Sequence, residues 1–202
     1  NHAPVDAALH LRTKHGLRSE HIESITIGLH ERQFAVVVEP VARKQRPESE
    51  CEAKFSVAYA VATALVRGQL GLRELELESR TDDAILALTP RIHCVHDDRS
   101  NYPQTFSGGV SIKMRDGTVY EHFDAVNRGA EGRLLSEGDV KTKFVQNCRL
   151  VLSETRTEAV WEAIMDVDKQ DDCSALLEAL KGLGDPISTA DRNNAVSRSA
   201  TC

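Results

Sequence analysis

The segment Glu50-Cys-Glu-Ala-Lys-Phe-Ser-Val-Ala-Tyr-Ala-Val-Ala-Thr-Ala-Leu-Val-Arg67 carries the clearest structural signal of the chain. Its apolar residues recur at helical spacing, at Ala53, Val57, Ala60, Val61, Ala64 and Leu65. Gly68 follows directly and is a common residue at the end of a helix. We therefore predict one helix over residues 50–67, and its many alanines indicate close packing against a neighbouring element.

The flanking sequence mixes helical and strand patterns. Residues 4–15 predict a helix, and residues 22–29 and 91–95 predict strands. Residues 34–38 form a short apolar run with strand character, and the polar stretch 41–49 predicts a loop. Asp116-Gly117, between two alternating runs, indicates a hairpin over residues 105–123. The fold class predicted is α+β: a small, largely antiparallel sheet with helices packed on it.

Helices continue towards the C-terminus and then give way to a polar tail. The predicted helices cover residues 137–150, 155–165 and 173–180, the first capped by Ser136. Beyond Gly182 the chain is rich in Ser, Asn, Asp and Arg. We predict one α+β domain over residues 1–181 and a disordered tail over residues 182–202.

Composition limits the class of protein. The chain has 202 residues, a net charge of −6 and 41% hydrophobic residues, which are the proportions of an ordinary globular protein and do not favour nucleic-acid binding. Five widely spaced cysteines, without a C-x-x-C pair, indicate reduced thiols. No apolar run of membrane-spanning length and no signal peptide are visible, so a cytoplasmic location is expected. The start at Asn1, without Met, suggests processing or a piece of a longer protein.

The familiar cofactor and metal motifs do not occur. There is no G-x-G-x-x-G, Walker A loop, H-E-x-x-H or G-x-S-x-G, so no nucleotide cofactor is expected. The stretch His93-Cys-Val-His-Asp-Asp98 contains metal-ligand residue types, but a strand would split them between two faces. We predict no metal site there.

Three groups of polar residues are candidates for chemistry, and each also has a simpler structural interpretation. Arg43, Lys44 and Arg46 either lie in solvent or clamp an acidic small molecule. Tyr59 is either a core tyrosine or a proton donor at an interface, and Lys54 lies 1.4 turns before it. His2 and Asp6 share one face of the first helix, as either surface residues or an acid/base pair.

Residues Glu52 to Ala62 closely resemble the "AKFSLPYAVA" signature of the MmgE/PrpD family. Four other stretches fall in the expected order: the H-x-x-(I/V)-D-A start at residues 2–8, the "IESITV"-like strand at 22–27, the "V-x-V-x-L-x-D-G" hairpin at 110–118 and the "PLS…L…KF" helix at 135–144. The resemblance covers about residues 1–180. Val57-Ala58 replaces the family's usual Leu-Pro, and on that ground we expect the signature helix to lack its kink.

The resemblance implies a fold, partners and an activity. It implies the smaller, C-terminal α+β domain of a two-domain enzyme, whose helical N-terminal domain completes the active-site cleft and supplies the base. Family members include 2-methylcitrate dehydratase, cis-aconitate decarboxylase and iminodisuccinate epimerase. The implied activity is therefore a cofactor-independent lyase or isomerase of di- or tricarboxylic acids, for example in propionate metabolism. The implied assembly is a homodimer, and the chain alone is expected to be inactive.

By position, the resemblance also marks site residues. Tyr59 and His2 match catalytic-cleft positions of the family, and Lys54 matches a basic position of the signature. With Arg43, Lys44 and Arg46, Lys54 is expected to bind substrate carboxylates. Two other interpretations stay open: a non-catalytic binding or regulatory module, and one subunit of an enzyme split over two chains.

Overall fold

A computed structural model describes residues 1–181 of the chain. These residues fall into two compact units, unit 1 from Asn1 to Leu134 and unit 2 from Leu135 onward. Each unit is described by itself. The predicted disordered tail, 182–202, lies outside the described residues.

Unit 1 contains a four-stranded sheet. The strands are β1 (Ile22–Leu29), β2 (Ile92–His96), β3 (Gly108–Met114) and β4 (Val119–Asp124), in the order β2-β1-β3-β4. β1 and β2 are parallel, while β1–β3 and β3–β4 are antiparallel. The turn between β3 and β4 is the predicted one, with Gly117 at φ 89° and the Asp116 carboxylate accepting from the Thr118 amide at 2.9 Å. The predicted α+β class with a largely antiparallel sheet is confirmed.

Two long helices contribute to the core of unit 1. Helix α1 spans His2–His15 and α5 spans Val57–Arg67. They run side by side in the same direction, as two hydrogen bonds show. Asn1 Nδ2 donates to the Lys54 carbonyl at 2.8 Å, and Arg12 Nε donates to the Leu65 carbonyl at 3.0 Å. Helix α1 contacts β3 and β4, and α5 contacts α1 and β2. The central side chains are fully buried, each stabilising the fold by about 1.5–3 kcal/mol: Ile25, Ile27, Val61 and Ile112.

The predicted continuous helix over residues 50–67 is wrong. Helix α4 (Glu50–Lys54) ends at Phe55, and α5 begins after Ser56, which has extended backbone angles. The Ser56 hydroxyl accepts from the Tyr59 amide at 3.0 Å, as the cap of a new helix. The same hydroxyl donates to the Lys44 carbonyl. The chain therefore bends at Ser56 although Val57-Ala58 replaces the usual Leu-Pro, and the expectation of an unkinked signature helix is wrong.

Two expectations for residues 34–49 are also wrong. The apolar run is helix α2 (Phe34–Val37), not a strand, and the predicted loop contains helix α3 (Val41–Gln45). A capping box turns the chain at the end of β1: His30 Nδ1 accepts from the Arg32 amide, and the Gln33 side chain accepts from the His30 amide. The apolar residues then pack on the core from helical turns.

Shorter elements complete unit 1. Helices α6 (Leu77–Arg80) and α7 (Asp83–Leu88) follow α5, and Asp82 caps α7 by accepting from the Ala84 and Ile85 amides. Short 3-10 turns cover Ser19–His21, Glu31–Gln33, Arg73–Leu75 and Thr89–Arg91.

Unit 2 is helical in its described part. It contains α8 (Glu137–Cys148), α9 (Glu154–Met165) and α10 (Ser174–Leu180), after the predicted cap at Ser136. Phe144 of α8 packs on Trp161 of α9, with ring centroids 5.3 Å apart. Of the helices within residues 1–181, none combines the length and the apolar character needed to cross a bilayer.

Candidate functional site

At one end of the sheet in unit 1, the starts of α1 and α5 lie close together. Leu29 pairs with His96, and Gly108 pairs with Asp124, so β1, β2 and β4 end where β3 begins. Helix α1 starts at this end of the sheet, where Pro4 packs closely on Gly108. A Cβ on Gly108 would lie 2.8 Å from the Pro4 ring. We call this end of the sheet, with His2, Lys54 and Asp124, the α1 end of unit 1.

His2 and Lys54 are the predicted site residues that the fold places at this end. Both are exposed. The hydrogen bond from Asn1 Nδ2 to the Lys54 carbonyl fixes the start of α1 against the end of α4. The two residues, 52 positions apart in sequence, therefore lie on neighbouring backbone segments.

The polar face of α1 packs on β4 in a row of paired side chains, which we call the α1–β4 ladder. The His15 and Tyr120 rings stack with centroids 4.2 Å apart, and the His10 and His122 rings stack at 4.3 Å. One helical turn before His10 lies Asp6, and two strand residues after His122 lies Asp124. The next rung therefore consists of two carboxyl groups, and His2 lies one turn beyond them.

Asp124 is the most buried member of the ladder, with a side chain only 9% exposed. Its Oδ1 accepts from Arg133 at 2.6 Å and lies 3.5 Å from His122 Nε2. Its Oδ2 is buried and has no hydrogen-bond partner among the described residues. Arg133 also donates to the Val126 carbonyl at 2.8 Å, which holds the loop after β4 against the carboxylate.

Asp6, on the helix side of the same rung, is half-buried. Burial raises the pKa of its carboxyl, and the nearby Asp124 carboxylate raises it further, while Arg128, Arg133 and His2 act in the opposite direction. The ladder thus holds a carboxyl group that takes up a proton more readily than an ordinary aspartate.

Tyr59 lies in the first turn of α5, three residues after the Ser56 cap. Its side chain is fully buried, and its hydroxyl donates to the Glu74 carbonyl at 2.5 Å. Burial raises the pKa of the phenol. The Glu74 carboxylate accepts from Gln69 Nε2 and the Gly71 amide, both at 2.7 Å, so the accepting turn is itself held in place.

The basic residues of α3 have different partners. Arg43 forms an ion pair with Glu52, and Lys44 Nζ donates to the carbonyls of Val36 and Phe55. Burial lowers the pKa of the Lys44 amine. Arg46, just past the end of α3, is exposed. Two of the three cations are therefore engaged in holding α2, α3 and α4 together.

In the His93–Asp98 stretch, the His96 side chain contacts Asp98 and the backbone that follows β1. His96 Nε2 lies 3.1 Å from Asp98 Oδ1, and its Nδ1 accepts from the Glu31 amide. Burial raises the pKa of the Cys94 thiol to about 11. Among residues 1–181, no three His, Cys, Asp or Glu side chains are placed to hold a metal ion.

Sequence reasoning missed the strand half of the ladder. Asp124, His122 and Arg133 were not candidates, although Tyr120, His122 and Asp124 alternate along β4 and so share one face. That alternation was the available signal. It was missed because polar residues on a strand normally face solvent, whereas these face α1.

Comparison with known proteins identifies relatives of the chain. A sequence profile of the MmgE/PrpD C-terminal domain matches residues 1–169. The chain is 25% identical over 162 residues to the cis-aconitate decarboxylase-like protein oryM of Aspergillus oryzae, covering 80% of this chain and 33% of that protein. It is 25% identical over 165 residues to the cis-aconitate decarboxylase of Mus musculus, covering 81% of this chain and 32% of that protein. The chain thus spans about a third of the length of these relatives.

Proposed function

The chain belongs to the MmgE/PrpD family, and from that premise we propose that it is the C-terminal domain of a cofactor-independent lyase. The proposed substrate is a tricarboxylic acid of the cis-aconitate class, and the proposed reaction is decarboxylation. The names of the two relatives carry this proposal. Dehydration of a 2-methylcitrate-like acid, within propionate metabolism, and epimerisation are the alternatives within the family.

The reaction defines what a site must supply. Loss of carbon dioxide breaks a carbon–carbon bond and leaves its electron pair on carbon, as a carbanion next to the remaining carboxylates. The site then needs a proton donor for that carbon and cations for the carboxylates. Elimination and epimerisation pass through a related carbanion, and none of these steps requires a redox cofactor.

The α1 end supplies groups of both kinds. We assign His2 as the acid/base residue of this domain, because its imidazole is exposed there and histidine is the side chain most often used for proton transfer in enzymes. Lys54 is the proposed carboxylate-binding cation, since its side chain is exposed beside the start of α1. Arg46 is assigned the same role at longer range.

Tyr59, Arg43 and Lys44 take a supporting role in this proposal. The buried Tyr59 hydroxyl is bonded to a main-chain carbonyl, so direct proton donation would require that bond to open. The hypothesis that Tyr59 is the proton donor stays a prediction, and replacement by Phe tests it. Arg43 and Lys44 are proposed to hold the α3–α4 segment from which Lys54 projects.

The proposed enzyme requires a helical domain to close the cleft. That domain is proposed to come from the same protein or from a separate subunit, and to supply the base. A cytoplasmic homodimer, with this chain inactive by itself, completes the proposal. Co-purification of a helical partner distinguishes the split form from the single-chain form.

The test uses the full-length protein with cis-aconitate, 2-methylcitrate and iminodisuccinate as separate substrates. Release of carbon dioxide from cis-aconitate, with one deuterium from D2O bound to carbon in the product, is the expected result. His2→Gln is expected to lower kcat about 10²–10⁴-fold. The matched control is His21→Gln, because His21 is exposed near the opposite end of β1. No turnover of any of the three acids would contradict the proposal, and equal effects of the two variants would remove His2 from it.

A further inference from the structure

The Asp6–Asp124 rung of the α1–β4 ladder poses a physical problem. Asp124 Oδ2 is buried without a hydrogen-bond donor among the described residues, and a buried acceptor left unpaired costs about 1–3 kcal/mol. The other oxygen of the same carboxylate is engaged by Arg133. A donor for Oδ2 is therefore missing.

The position of the rung identifies the missing donor. The stacks of His10 on His122 and of His15 on Tyr120 fix the register of α1 against β4. Asp6 follows one turn from His10, and Asp124 follows two residues from His122. The carboxyl of Asp6 therefore faces the Asp124 side of the strand, and a carboxyl group donates only when it is protonated.

We propose that Asp6 and Asp124 share one proton, with the protonated carboxyl of Asp6 satisfying Asp124 Oδ2 either directly or through one bridging water. The shared occupant is a proton rather than a metal, because the described residues offer no third ligand for an ion. Two facing carboxylates commonly hold a single proton between them, since both cannot ionise without repulsion.

The surrounding charges set the pH range over which this proton is lost. His2 and His10 face the rung from α1, His122 faces it from β4, and Arg128 and Arg133 face it from the loop after β4. Burial and the Asp124 carboxylate favour the protonated form of Asp6, and the cations oppose it. Asp6 therefore holds a proton more readily than an ordinary aspartate, and the cations limit that preference.

A consequence for catalysis follows, and it rests on the proposed function. His2 lies one turn from Asp6 on the same helix face. When the pair releases its proton, the Asp6 carboxylate stabilises a charged imidazole, so His2 is held in its proton-donating form. Asp6 is thus a positioning residue that acts through His2 and does not itself contact the substrate.

The sign of the stability effect tests the shared proton without reference to activity. A group whose pKa is raised on folding contributes stability that is present at low pH and lost as the pH rises through its folded-state pKa. Asp6→Asn keeps a donor and cannot ionise. In the full-length protein it is expected to raise Tm at pH 7.5 by about 2 °C, with the gain vanishing as the pH falls towards about 4.

The Asp124→Asn background supplies the matched test of the pair. If the two carboxyls share a proton, the gain from Asp6→Asn disappears when Asp124 is already an amide, because no second negative charge remains. Asp98→Asn is the control, since its carboxylate is 99% exposed. A lower Tm of Asp6→Asn at pH 7.5 would show that Asp6 works as an ionised partner of the arginines, and an unchanged Tm at every pH would show that no proton is shared. Either result overturns the proposal.

The kinetic arm separates this proposal from the function it rests on. With cis-aconitate as substrate, Asp6→Asn is expected to leave KM within about twofold and to remove the acidic limb of the kcat profile that Asp6 sets through His2. An unchanged profile together with the raised Tm would remove the link to His2 and leave the shared proton standing. Absence of all turnover would contradict the proposed function alone, because the Tm measurement does not depend on it.

Discussion

Tyr59 in α5 and Asp124 in β4 are two buried polar side chains of unit 1, and they differ in how completely they are paired. The Tyr59 hydroxyl has a main-chain acceptor, and the turn that carries this acceptor is held by two further hydrogen bonds. Asp124 has one oxygen paired with Arg133 and the other unpaired, next to a second carboxyl. A buried polar group with its bonds complete holds a fold together, while one with an unpaired atom is a candidate for a functional role. On this physical ground we place structure at α5 and chemistry at the α1 end.

Removing the Tyr59 side chain is expected to have the largest effect on stability. Tyr59→Ala leaves a cavity beside the fully buried first turn of α5 and should lower the free energy of unfolding by about 3–5 kcal/mol. Urea denaturation of the full-length protein, followed by circular dichroism, measures this change. A loss below about 1 kcal/mol would show that the residue is not part of the core.

The graded variant Tyr59→Phe keeps the ring and removes only the hydroxyl. It is expected to cost about 1–3 kcal/mol, because the Glu74 carbonyl then loses its donor, and to leave kcat of the folded enzyme within about threefold. Wild-type stability combined with a loss of kcat of more than about a hundredfold would reverse the comparison and make Tyr59 the proton donor.

The junction between α4 and α5 is expected to show the next largest effect. Ser56→Ala removes the cap of α5 and a hydrogen bond to the Lys44 carbonyl, with an expected cost of about 1–2 kcal/mol. Ser49→Ala is the matched control, since Ser49 caps only the short α4 and is exposed. Equal Tm values for the two variants would show that the junction does not hold α5 in place.

The two lysines on either side of this junction should separate structure from chemistry. Lys44→Met leaves two carbonyls without their donor and is expected to cost about 1 kcal/mol, with little change in kcat/KM. Lys54→Met should change stability by less than about 0.5 kcal/mol and lower kcat/KM about tenfold or more. Steady-state kinetics and thermal unfolding of both variants check the pair. The same pattern in both would mean that Lys54 is not a substrate ligand.

The smallest expected effect is a change in the pH dependence of stability, caused by the His10–His122 rung. Partial desolvation against β4 and the neighbouring His122 lower the pKa of His10, with Lys14 and His15 acting in the same direction and Asp124 opposing them. The unfolded chain therefore takes up a proton that the folded chain resists, and stability falls as the pH drops from about 7 towards 5. His10→Phe retains the stack and should flatten this slope in urea midpoints measured at several pH values. A slope unchanged from wild type would exclude His10 as its source.

Local patterns predicted most of the fold of unit 1. The alternation in residues 22–29 and the Asp116-Gly117 turn were sufficient for β1 and for the β3–β4 hairpin. The wrong predictions arise where a helix cap or a hydrogen bond to another segment overrides the local pattern. Residues 34–38 have strand-like composition, but a capping box directs them into helical turns on the core, and Ser56 breaks the signature helix through a bond to Lys44.

The candidate site was predicted only in part. His2 and Lys54 were identified by resemblance, and the structure places their backbones next to each other at one end of the sheet. Arg43 and Lys44 were candidates because of their charge, and sequence could not show that Glu52 and two carbonyls already engage them. Asp124 was missed, since its burial depends on how α1 lies across β4.

By itself, the sequence determined the elements whose cause is local, because periodicity, helix caps and turn residues act over a few positions. It determined the family as well, since ordered motifs survive along the chain. Tertiary structure alone decided which polar groups are paired and which are left open. Whether Tyr59 or Asp124 is satisfied depends on partners 15 and 9 positions away, brought close by the packing of helices on the sheet. Burial and pairing are properties of that packing, and they set which side chains are free to react.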